Sequence, residues 1–208
     1  MKQVLVAVLL LFAATSYANQ EAITDTGEKV ILKNDGTWVY ADKASKSVQK
    51  LDTNKKKFEK PGDSTFLVKS TRNNSAFWIN SAKWNFKKAQ ENAASEYQFS
   101  LKTKDLYAMA ITEGIEMPVE SLAEIALSNA KSAATDIKLV TQEYRIVNGK
   151  KVIYMQFNCT VKGMNLIYNG YYYSNTSGST QLVTYTSANA TEKYMADITD
   201  FLNGLVTQ

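Results

Sequence analysis

Histidine is absent from the 208 residues, and cysteine occurs once, as Cys159. Without histidine there is no Ser-His-Asp or Cys-His catalysis and no His-ligated zinc or haem. One cysteine makes neither an intramolecular disulfide nor a thiolate metal cluster. A chain of this length builds a core large enough to do without disulfides. Any catalysis would rest on carboxylates, lysine or tyrosine. The expectation is therefore a protein that is not an enzyme and carries no cofactor. Cys159 lies in an alternating apolar stretch, residues 152–161, and reads as a small buried hydrophobe. Arginine is scarce, with only Arg72 and Arg145. Because arginine is the main bidentate reader of base edges, nucleic acid is not an expected partner.

Long apolar runs are also missing, apart from residues 4–14. That run is too short to cross a bilayer, which takes about 20 residues. It follows Lys2 and precedes Ser16-Tyr17-Ala18, a small-x-small cleavage site. Together these form a secretory signal peptide, residues 1–18, cleaved after Ala18. The expected product is periplasmic or secreted, with no transmembrane segment.

The net charge of +4 is concentrated in one place. Residues 43–60 hold seven lysines against Asp52 and Glu59, which exceeds the whole excess. Residues 42–64 are Lys-rich, poor in large apolar groups, and end at Pro61-Gly62-Asp63-Ser64, the composition of a linker. Lys55, Lys56, Lys57 and Lys60 give this tether a possible weak contact with an anionic surface, at about 1 kcal/mol per lysine near such a surface.

Ahead of the linker, residues 19–41 read as a small β-meander. Asp25-Thr26-Gly27 and Asn34-Asp35-Gly36 are turn signals on either side of Val30-Ile31-Leu32. A unit this small is marginal alone and needs a docking surface. Trp38 and Tyr40 alternate onto one face and are the expected surface. The run Asp25-Thr26-Gly27, Val30, Leu32, Asp35-Gly36-Thr37-Trp38 resembles a short element common near the N-terminus of bacterial secreted proteins.

Residues 65–208 read as one α+β domain. Strands are expected at 66–68, 76–79, 84–86, 97–101 and 106–112. Both faces of the last are apolar, which suggests a central strand covered on both sides. A helix follows over 119–133, with Pro118 at its start and Leu122, Ile125, Ala126, Asn129, Ala130 and Ala133 as its inner stripe. Asn148-Gly149 is the strongest hairpin signal in the chain, between strands at 137–147 and 151–162. Gly163 turns into a strand at 165–174, and a further turn leads to 181–187. A terminal helix opens at Asn189 and Glu192, a capping pair, with Tyr194, Met195, Ile198, Phe201, Leu202 and Leu205 facing inward. Strands, a helix, a four-strand meander and a helix make a twisted antiparallel sheet packed by helices.

This order resembles the PsbP-like α/β/α sandwich of small envelope proteins. The residues that carry the resemblance are the strand at Trp84, the helix from Glu120 to Ala133, the Asn148-Gly149-Lys150-Lys151 hairpin, and the tyrosine-rich strand running into Leu182-Val183-Thr184-Tyr185. It implies a binding or assembly role without catalysis, with an envelope protein as partner, and it transfers no metal or ligand residues.

Two further readings concern chemistry. Tyr168, Tyr171, Tyr172 and Tyr173 share one strand, with Tyr154 and Tyr185 on its neighbours and Asn165 and Asn169 nearby. On an open sheet face, Tyr168, Tyr171, Tyr172, Tyr173 and Tyr185 form a stacking surface for a glycan, peptide or lipid. The plainer reading packs the rings under the helices. Glu113, Glu116, Glu120 and Glu124 form an acidic run on which a carboxylate-based hydrolase or a calcium site is conceivable. Their spacing matches no known loop, and the helix dipole explains acidic residues in a first turn.

Overall fold

The computed structural model describes residues 20–24, 27, 29–32, 38–40, 51–89 and 94–208. The expected signal peptide, residue 41 of the expected meander and residues 42–50 of the Lys-rich stretch lie outside these. In the N-terminal region β1 (Gln20–Ile23), β2 (Lys29–Leu32) and β3 (Trp38–Tyr40) pair in that order as an antiparallel sheet. A Cβ on Gly27 would lie 3.4 Å from the Cβ of Met117, so Gly27 lies close to the segment that leads into the first helix.

The chain continues as β4 (Thr53–Phe58), β5 (Phe66–Lys69), β6 (Ser75–Ile79), β7 (Trp84–Lys88), β8 (Tyr97–Leu101) and β9 (Leu106–Glu113). Then come α1 (Val119–Ala133), β10 (Thr135–Val147), β11 (Lys150–Val161), β12 (Met164–Asn175), β13 (Gly178–Ser187), α2 (Thr191–Leu202) and β14 (Leu205–Thr207). Eight strands form the main sheet, in the order β4-β10-β11-β12-β13-β9-β8-β7. Within it only β4 runs parallel to its neighbour. The result is a mixed α and β architecture with one large sheet and two helices.

Two tight turns set the meander's register. Asn148 and Gly149 have φ of 48 and 79, and Lys162 and Gly163 have 49 and 80. Positive φ at both centres makes the two-residue turn whose twist matches paired strands. Along β11 the side chains then alternate between two cores. Ile153, Met155, Phe157 and Cys159 join Leu122, Ala123 and Ala126 of α1. Val152 and Tyr154 join Tyr194, Ile198, Phe201 and Leu202 of α2 on the opposite face. That second face is also covered by a small sheet in the order β14-β6-β5, which contributes Val68, Phe77, Ile79 and Leu205.

Several expectations are corrected. Thr53–Phe58 lies within the stretch read as a linker, yet it is an edge strand of the main sheet. Five of its six residues are polar, so no apolar alternation marks it. Backbone bonds hold it, Tyr144 N to Asp52 O and Asn148 N to Phe58 O, both 2.9 Å, with buried Phe58 as its one apolar anchor. Lysine on an exposed edge also discourages pairing with other chains. β9 is interior in strand order, but its second face is covered only in part: Tyr107 is exposed, while Met109 packs half-buried against the α1-side core and Ile111 is half-buried.

The inner stripe of α1 is rotated from the expected one. Leu122, Ala123 and Ala126 are buried, whereas Asn129 and Ala133 are exposed. Asn189 does not cap α2; a 3-10 turn precedes that helix, and the Asn189 side chain accepts a bond from Ser187 Oγ at 2.8 Å. Leu205 belongs to β14 and not to α2. The helix ends at Leu202, and two residues on, a Cβ at Gly204 would sit 2.1 Å from Trp78 O; only glycine lets the chain pass this close to β6.

Candidate functional site

Strand alternation divides the five expected surface tyrosines. Tyr168, Tyr172 and Tyr185 point to the α1 face, Tyr171 and Tyr173 to the α2 face. Tyr171, Tyr172 and Tyr173 are buried, which removes them from any ligand surface in this structure. They sit in the middle of a sheet covered on both sides, a placement that one strand's sequence does not reveal. The Tyr172 ring lies over Gly170, where a Cβ would stand 3.1 Å from it. Burial drives the Tyr172 hydroxyl pKa far up.

What remains is a row of rings. Tyr107, Tyr185, Tyr168 and Phe157 are direct cross-strand partners on β9, β13, β12 and β11. Their centroids are 5.6, 5.4 and 5.1 Å apart, with interplanar angles of 25°, 19° and 3°. Near-parallel rings at this spacing cover one another's faces, so the inner rings stand on edge. The row is buried at Phe157 beside α1 and reaches 41% exposure at Tyr107. Burial raises the pKa of Tyr185, and burial with the nearby Cys159 and Tyr185 raises that of Tyr168 to about 12. Both hydroxyls are therefore neutral at physiological pH. Burial also pushes the Cys159 thiol up, so it is not a thiolate nucleophile.

Next to Tyr107 in the same transverse row comes Ser100 of β8, and then Asn85 of β7. Neither side chain is a ring that would continue the stack. A groove of about 540 Å³ opens here, lined among others by Asn85, Ser100, Thr103, Lys104, Asp105 and Tyr107. The sequence reading did not single out these residues. Their signal is a contact between β9 and β13, which are far apart in the chain.

Two buried polar clusters are structural in character. Glu96 is 1% exposed and accepts bonds from Ser70 Oγ and Thr71 N, both 2.7 Å, from Thr71 Oγ1 at 2.8 Å, and from Thr112 Oγ1. Burial alone would raise its pKa, but these donors outweigh it and hold the carboxyl below its ordinary value. On β10, Arg145 donates from Nε to Glu143 Oε1 at 2.7 Å, and its guanidinium stacks 3.5 Å from the Tyr154 ring centroid. Tyr171 donates to Asn203 Oδ1 at 2.8 Å and receives Arg145 Nη1 at 3.4 Å.

The other expected groups are placed as follows. Lys55, Lys56 and Lys57 are exposed along β4. Lys60 is not a free charge; its ammonium donates to Pro61 O and Ser64 O, both at 3.0 Å, and lies over the Trp78 ring. Glu120 accepts a hydrogen bond from the Tyr144 hydroxyl, whose pKa burial and this bond push up to about 12. Among the described residues, no group of three or more Cys, Asp or Glu side chains is arranged to hold a metal ion. No described helix is long and apolar enough to cross a membrane.

No protein-family model matches the sequence, and comparison with curated proteins finds no match either. Solved structures do match. The solution structure of cyanobacterial PsbP (CyanoP) from Synechocystis aligns with a TM-score of 0.52 at 11% identity, covering 70% of this chain and 94% of that one. LpqN of Mycobacterium tuberculosis, described as involved in cell envelope biogenesis, aligns with a TM-score of 0.50 at 9% identity. That match covers 69% of this chain and 90% of LpqN. The fold is PsbP-like. In this PsbP-like fold the ring row runs along the α1 face, from buried Phe157 beside the helix to exposed Tyr107.

Proposed function

We propose that the protein is a non-catalytic binding or assembly module of the bacterial envelope, exported by residues 1–18. The observation that carries this is the PsbP-like fold held in common with LpqN, a protein described as involved in cell envelope biogenesis. The chain's own chemistry supports it. Glu96, Glu120 and Glu143 each accept a hydrogen bond from a fixed partner, so they act as anchors and not as a facing acid–base pair. Lys55, Lys56 and Lys57 add a basic edge suited to weak contact with an anionic surface.

Two measurements test the reading. The protein recovered from the periplasm or medium begins at Asn19 by intact mass; a product that retains Met1 contradicts export by this segment. The immobilised protein retains a defined envelope protein from periplasmic extract. Retention no better than that of an unrelated protein of equal charge overturns the binding role. So does turnover of glycoside, ester or peptide substrates by the purified protein.

A further inference from the structure

We infer that the groove beside Tyr107 is a subsite for one pyranose ring of an uncharged glycan. This narrows the tyrosine-rich surface to its open end and does not depend on a protein partner. The argument begins with the ring row. Tyr185 and Tyr168 are stacked on both sides and have no free face to offer. Tyr107 is stacked on Tyr185 on one side only, and its next partner in the row is Ser100. Its other face is open to the groove, and the row behind it holds the ring in place.

The rest of the groove selects the ligand. Its polar lining, Asn85, Ser100, Thr103 and Asp105, disfavours a lipid tail or an apolar peptide. The two flanking cations are already engaged. Lys102 Nζ donates to Ser81 O at 2.8 Å, and Lys104 Nζ pairs with Asp197 at 2.6 Å. An anionic ligand therefore meets no free ammonium at these positions. A pyranose has one C–H face for an aromatic ring and an equatorial set of hydroxyls for amide, hydroxyl and carboxylate partners. Leu101 and Tyr194 also line the groove, and together with the Tyr107 face and its bordering amide, two hydroxyls and carboxylate they match that chemistry. The volume of about 540 Å³ accommodates one to a few sugar rings.

The test is a titration of the isotope-labelled intact protein with cellotetraose, chitotetraose and maltotetraose, followed by amide chemical shifts. At least one glycan is expected to bind in the millimolar range or tighter, with shifts centred on residues 85 and 100–107. Tyr107→Phe keeps the ring and the binding. Tyr107→Ala weakens binding about tenfold, the upper worth of one aromatic contact. Ser100→Phe fills the groove and abolishes binding, and near-UV circular dichroism verifies that each variant is folded. No shift with any of the three glycans, shifts centred elsewhere, or unchanged affinity in folded Tyr107→Ala overturns the inference. Capture of an envelope protein is a separate readout, so failure here leaves the binding-module reading standing.

Discussion

Glu96 illustrates what burial does to a single charge. Four donors from two segments converge on its carboxylate, tying the β5–β6 loop to β9. Glu96→Gln replaces one acceptor oxygen with a donor that faces these donors. The expected cost at neutral pH is about 2–3 kcal/mol, read from urea unfolding. The pH dependence has a definite sign. Because the folded pKa lies below the unfolded one, the stabilisation is complete above the unfolded value, about 4.3. It is lost as pH falls through the lower folded value. The gap between wild type and Glu96→Gln should therefore narrow in acid; a gap that widens contradicts this account. No sequence feature marks Glu96, because its partners at Ser70, Thr71 and Thr112 meet only in the fold. Cys159 is the opposite case. The surrounding apolar alternation already places it inside, and it is buried.

At the scale of elements, the Asn148-Gly149 turn does more than reverse the chain. Asn148 Nδ2 donates to Asn203 O and Leu205 O, and its Oδ1 accepts from Lys60 N, all at 2.8 Å. One side chain thus pins the hairpin to the end of β4 and to the α2–β14 junction. Asn148→Gly keeps a turn-compatible backbone but removes three hydrogen bonds, at an expected cost of about 2–3 kcal/mol. The control is Lys162→Gly in the neighbouring turn, whose Lys162 φ is also positive. That change relieves a left-handed non-glycine residue and should alter stability by no more than about 1 kcal/mol. Equal losses in the two variants, measured by thermal unfolding, would mean that turn geometry and not cross-linking carries the effect. The helix at 119–133 was legible because its apolar spacing extends over four turns and a proline marks its start. Its rotation about its own axis was not. Alanine is small enough to face either way, and the sheet beneath decides which side is buried.

For the whole molecule, β4 decides where the folded unit begins. Phe58 packs in the α2-side core, Asn54 Nδ2 donates to Glu143 at 2.9 Å, and the Arg145 guanidinium lies 4.5 Å from the Phe58 ring centroid. A chain starting at residue 51 should unfold cooperatively with nearly the stability of the longer protein. A chain starting at residue 65 loses Phe58 and uncovers the Arg145 cluster, at an expected cost of at least about 3 kcal/mol. Equal urea midpoints for the two truncations would place the boundary at residue 65 and make β4 dispensable. By itself the sequence determined the class of elements, the hairpin at Asn148-Gly149 and the exclusion of histidine chemistry, because these follow from local spacing and composition. Tertiary structure alone decided which tyrosines are covered, that a lysine-rich segment is a strand, and that Tyr107 stands at the open end of a ring row. Each of these depends on pairing between strands distant in the chain. Local periodicity records that a side chain alternates, and only the neighbouring strand and the helix above it determine what that side chain meets.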